Sequence, residues 1–152
     1  VREHYARKYD FDLFLMLGEI SRGWLLAERG RLEEGAERIQ QGLAVYQAIG
    51  AELGRPTFLG NLADVLGRLG RIEDALAVVA DAIALAERTG LRYWDAELQR
   101  LKGTLLVHGG ADRDAESCFQ EALAIARRQE AKALELRAAM SLARLWRDRR
   151  RV

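Results

Sequence analysis

The residues best equipped for chemistry in this chain are ionic, and they recur at a fixed spacing. Glu28, Arg68, His108 and Asp148 stand 40 positions apart, as do Thr57, Glu97 and Arg137. Trp24, Asp64, Thr104 and Arg144 form a third set. The first two sets mix opposite signs. Their members can pair with each other, or they can hold the charged groups of a ligand. Arg100, Arg137 and Arg144 carry forked guanidinium donors suited to carboxylates.

Catalytic constellations are missing from the sequence. There is no GxxxxGK[ST] or GxGxxG loop to cradle a phosphate, no HExxH and no GxSxG elbow. His4 and His108 alone make no zinc cluster. No cofactor or metal is expected, and the chain reads as a non-enzyme. Cys118 is the single cysteine, so no intrachain disulfide forms, and it reads as a small packed side chain. His108 precedes Gly109-Gly110 and suits a helix C-terminus. Trp24, Tyr93-Trp94 and Trp146 are either a ligand pocket or core, and their helical spacing favours core. Arg147, Arg149, Arg150 and Arg151 enclose Asp148 and read as a solvated helix end, with no interleaved aromatics for base stacking.

Composition narrows the class further. There are 24 basic and 23 acidic residues, a net charge of +1, which gives no pull toward nucleic acid or an anionic membrane. No apolar run approaches the ~20 residues needed to cross a bilayer. Aromatics are 7%, and long β-branched alternations are absent, so a sheet is not expected. The opening Val1-Arg2-Glu3-His4 has no signal-peptide layout and no initiator Met. The expectation is a cytoplasmic segment from the middle of a longer protein.

The elements that must position these side chains are helices, and they repeat. A shift of 40 residues superimposes Gly30, Gly70 and Gly110, and likewise Gly23, Ala63, Gly103 and Ala143. Ile39, Val79 and Phe119 coincide, as do Gly42, Ala82 and Ala122. Each unit holds two helices with apolar stripes, for example Phe58, Leu62, Val65, Leu66 and Leu69, then Ile72, Ala75, Leu76, Val79, Ala82, Ile83 and Ala86. First helices are expected near 12–29, 55–69, 92–108 and 133–149, and second helices near 32–49, 71–89 and 112–129. Residues 1–8 read as the end of a preceding repeat, with a turn at Asp10-Phe11-Asp12. The units are then 12–50, 55–90, 92–130 and the first helix 133–149, within one domain. Gly35 and Gly42, where the other units have alanine, are expected to loosen the first unit's second helix.

The unit Ala63, Leu66, Gly70, Ile72, Ala75, Val79, Ala82 resembles the tetratricopeptide repeat. So does Gly103, Leu106, Gly110, Ala115, Phe119, Ala122, although Asp112 stands where an apolar residue is usual. The resemblance implies an all-α fold: a right-handed α-α superhelix of tetratricopeptide-like hairpins, with about eight helices. Three stretches, Arg22–Glu28, Glu97–Gly103 and Leu134–Met140, resemble the C-terminal repeats of large bacterial regulators. Those proteins join such repeats to a signal-transduction ATPase and to a nucleotide cyclase or a DNA-binding domain. The implied role is a regulatory scaffold that binds a protein, a peptide or other domains of its own chain, with no nucleic acid and no membrane as partner.

First helices of such arrays line a concave groove. The residues expected on it are Trp24, Asp64, Arg68, Glu97, Arg100, Thr104, His108, Arg137 and Arg144. Two readings stay open for its charge rows: pairing between repeats, or a peptide gripped by Arg100, Arg137 and Arg144. A small-ligand sensor, with an effector held by Trp24, Arg68 and Arg100, is the alternative function. Leu134, Leu136, Leu142, Leu145 and Trp146 are expected to be left uncovered and to promote dimerisation through a terminal helix.

Overall fold

The computed structural model describes residues 2–150, with side chains from Phe14 onward. Among these residues there are seven α-helices and no strand. In order they are α1 (Arg2–Glu28), α2 (Leu32–Ala48), α3 (Arg55–Arg68), α4 (Ile72–Thr89), α5 (Asp95–His108), α6 (Asp112–Arg128) and α7 (Lys132–Arg149). A short 3-10 turn, Arg92–Trp94, leads into α5. The expected turn at Asp10–Asp12 does not occur, because α1 runs through it. That segment has neither Gly nor Pro to break a helix, and aspartate alone is a weak stop. The expected helices 1–8 and 12–29 are therefore joined.

Local chemistry sets the helix ends. Pro56 opens α3, where its missing N–H costs nothing. Glu73 and Asp74 sit in the first turn of α4 and Arg88 in its last, each favourable to the helix dipole. Gly30, Gly70 and Gly110 have φ of 85°, 78° and 79° and close the three hairpins. At each, the next residue's amide donates back to the helix just ended. Arg31 donates to Leu26, Arg71 to Leu66 and Ala111 to Leu106, at 3.0, 3.0 and 2.9 Å.

Gly50 and Gly90 end α2 and α4 with φ of 69° and 74°. The equivalent position after α6 is Glu130, at φ 55°, the one non-glycine with positive φ among the described residues. Ala131 still donates to Ala126 at 2.9 Å, so the same turn forms with a side chain in the left-handed region.

Each first helix packs on its second helix, and each pair packs on the next. First helices also touch their successors, α1 with α3, α3 with α5 and α5 with α7. The first helices therefore form the inner wall of an α-α superhelix. The core runs along the seams between the layers, through Ile20, Ile39, Val65, Leu66, Val79, Leu105 and Phe119.

Gly35 serves close packing of α2 on α1. A Cβ there would lie 2.7 Å from the Gly23 carbonyl oxygen, and one on Gly23 would lie 2.8 Å from that of Gly35. Two glycines let α1 and α2 approach more closely than alanine permits. Of the residues expected to be uncovered on α7, Leu142 and Leu145 are buried against Phe119. Those two pack into the α5–α6 hairpin, while Leu136 and Trp146 are exposed.

Candidate functional site

The inner wall holds a cavity of about 790 Å³ to which four first helices contribute. Trp24 and Glu28 come from α1, Asn61 and Asp64 from α3, Glu97 and Arg100 from α5, and Arg137 from α7. Trp94 enters from the turn before α5, and Leu98, Leu101 and Leu134 supply apolar wall. Gly60 gives Trp94 and Leu98 room, since a Cβ there would lie 3.1 Å from Leu98 and 3.7 Å from the Trp94 indole nitrogen.

The 40-residue spacing converts into contact between neighbouring first helices. Arg68 donates to the Glu28 carboxylate at 2.7 Å and to the Ala27 carbonyl at 2.9 Å. Arg137 donates to both oxygens of Glu97, at 2.6 and 3.2 Å. Arg100 does the same from within α5, at 2.8 and 3.0 Å. Glu97 is 8% exposed, so this is a nearly buried carboxylate held by four charge-assisted bonds. Thr57 does not join Glu97; it lies 3.1 Å from the Tyr93 hydroxyl.

Two of the three arginines expected to grip a partner's carboxylate already grip one from this chain. The third differs. Arg144 is exposed and makes no ion pair among the described residues. It lines a second cavity of about 270 Å³ with Arg100, Thr104, His108, Ser141 and Asp148. Arg100 also reaches the Thr104 hydroxyl at 3.4 Å and that of Ser141 at 3.5 Å, so it bridges the two cavities.

Asp64 contrasts with Glu97. Its nearest cation is Arg68 at 3.8 Å, an ion-pair distance but not a hydrogen bond. Burial pushes its carboxyl above the usual aspartate range, Arg68 and Arg100 oppose that rise, and Glu28 and Glu97 add to it.

Of the nine residues expected on the groove, Trp24, Asp64, Glu97, Arg100 and Arg137 meet in the larger cavity. Thr104, His108 and Arg144 meet in the smaller one, while Arg68 serves as a tie to Glu28. Asn61 and Gly60 were not foreseen, because neither residue type signals a cavity by itself. Trp24 and Trp94 line the cavity and are half-buried. Trp146 belongs elsewhere; its indole donates to Glu116 at 2.8 Å. Cys118 is half-buried on α6, and burial raises its thiol pKa, the opposite of an activated thiolate. No group of three metal-ligating side chains occurs among the described residues, and no described helix is long and apolar enough to cross a membrane.

Comparison with known proteins agrees with this geometry. An uncharacterized protein of Rhizobium meliloti (strain 1021) is 40% identical over 124 residues, which are 81% of this chain. The chain spans 12% of that relative's length. A tetratricopeptide repeat family model matches residues 54–128, from the opening of α3 to the end of α6. Residues 54–128 thus form a tetratricopeptide-like repeat region, set in a longer series of stacked helical hairpins.

Proposed function

We propose that the chain is a protein-interaction module whose inner groove receives a segment of a partner, or of another part of its own longer chain. The observation that carries this is the 790 Å³ cavity shared by four first helices. A surface assembled from every repeat at once is what a superhelical scaffold offers an elongated ligand. Tetratricopeptide repeats in general mediate protein contacts, and a relative of far greater length fits a module within a larger protein, which we read as a cytoplasmic regulator. We read the domain as repeats over 55–90 and 92–130, preceded by the α1–α2 hairpin, whose first helix extends the expected 12–50 unit, and followed by a further first helix. The Arg144 guanidinium, with no ion pair among the described residues, is the group best placed to take a partner's carboxylate.

Selection of a phage-displayed peptide library against the chain tests the reading. Binders are expected to lose affinity for Asn61→Trp, which fills the cavity, and to keep it for Asp81→Arg on the exposed face of α4. The opposite pattern would place the interaction surface on the outer wall.

The volume of the cavity also favours a second reading, since it lies within the ~300–1,000 Å³ typical of small-molecule sites. A metabolite that raises the melting temperature of the wild type but not of Asn61→Trp would select it. Self-association through the exposed Leu136 and Met140 of α7 is a separate proposal, and light scattering showing a monomer at high concentration overturns it.

A further inference from the structure

The groove's tryptophans and its one under-bonded carboxylate lie in the same cavity. Trp24, Trp94, Asn61 and Asp64 all line it. The charged groups around Asp64 are Arg68, Arg100, Glu28 and Glu97. Arg137 shares the cavity and is bonded to Glu97, so the pairs Arg68–Glu28 and Arg100/Arg137–Glu97 leave Asp64 as the cavity carboxylate that no cation among the described residues hydrogen-bonds. The cations are also committed: Arg68 to Glu28 and the Ala27 carbonyl, Arg100 to Glu97. Asp64 therefore has acceptor capacity that no described residue fills with a hydrogen bond. A half-buried carboxylate costs free energy until a donor reaches it, and burial already raises its pKa. Indole faces attract cations, and a desolvated wall strengthens the attraction.

We infer that the larger cavity is a receptor for a basic side chain, an arginine or lysine of the partner segment, flanked by Trp24 and Trp94 with Asp64 as counter-ion. This rests on the partner-groove reading and names what enters it. The partner's charge order follows: a basic residue anchors at Asp64, and an acidic one lies toward Arg144. The Asn61 amide is positioned to add a neutral hydrogen bond. Leu98, Leu101 and Leu134 take the aliphatic stem, as apolar surface does for long charged side chains.

The chain's three tryptophans make the test direct, since Trp146 lies outside the cavity as an internal control. Capped arginine amide and its neutral isostere, capped citrulline amide, are titrated into the 15N-labelled chain at millimolar concentration. The indole N–H signals are followed. Arginine amide is expected to shift the Trp24 and Trp94 signals saturably and to leave Trp146 still. Citrulline amide should bind about fivefold more weakly, the effect of one weak cation site. Asp64→Asn should remove that preference while circular dichroism shows the helices intact. Equal binding of the two probes, or a preference that survives Asp64→Asn, overturns the inference. A library-selected peptide without arginine or lysine that shifts both indoles would also overturn it, yet would leave the partner-groove reading standing. Peptides that bind only outer-wall residues would end both.

Discussion

Glu97 and Asp64 are two carboxylates of one cavity, on adjacent first helices, and they have opposite circumstances. Glu97 accepts four hydrogen bonds from two arginines of different helices. Asp64 accepts none from a described residue and has a guanidinium at 3.8 Å. The contrast separates charge that holds the superhelix together from charge left available to a ligand. A groove rich in arginine is then less open than its composition implies. Of Arg68, Arg100, Arg137 and Arg144, only the last has no ion-pair partner among the described residues.

The comparison can be broken most forcefully at Glu97. Glu97→Ala strands Arg100, whose side chain is 15% exposed, and should cost about 3 kcal/mol. For a chain of this size that is a fall in Tm of roughly 9 °C, read by thermal melting. Arg137→Ala removes only the outer half of the same arrangement. Its side chain is 57% exposed and Arg100 remains on Glu97, so the loss should be about 1 kcal/mol in a urea titration.

Asp64→Asn should instead leave stability within about 1 kcal/mol at neutral pH, in the variant's favour, because it removes a poorly solvated charge. The sign with pH follows from the raised pKa. Protonation of Asp64 in the folded chain relieves the cost, so relief is full below the unfolded aspartate value of 3.8 and is lost as pH rises through the folded one. The variant's advantage over wild type should therefore shrink as pH falls, and urea titrations at stepped pH check it. Arg144→Ala should change stability least, by under about 0.5 kcal/mol, since nothing in the fold leans on that side chain. It should still weaken acidic library peptides, as titration calorimetry would show.

Much of this was legible in the sequence, for identifiable reasons. Glycine at 30, 70 and 110 marks turns that need positive φ, so the period and the hairpins followed. Equivalent positions in stacked helices face each other, so pairing within the Glu28–Arg68 and Glu97–Arg137 rows was one of the two readings the spacing left open. The continuity of α1 did not follow, because an Asp-Phe-Asp segment neither forbids nor requires a turn. Gly23 stands at a small position of the period and so offered a close approach of the partner helix, but Gly35 across from it read as loosening, since a glycine reads alike whether it serves flexibility or proximity. The contrast between Asp64 and Glu97 was illegible too. It depends on Arg68 turning toward Glu28 and the Ala27 carbonyl, a choice of rotamer that spacing cannot specify.

The account turns on Asp64 being a binding group and not a structural one. The decisive measurement takes melting temperature and arginine-over-citrulline preference from the same sample of Asp64→Asn. A binding role for Asp64 gives a melting temperature close to wild type with the preference gone. A fall in melting temperature like that of Glu97→Ala, with the preference intact, would contradict it.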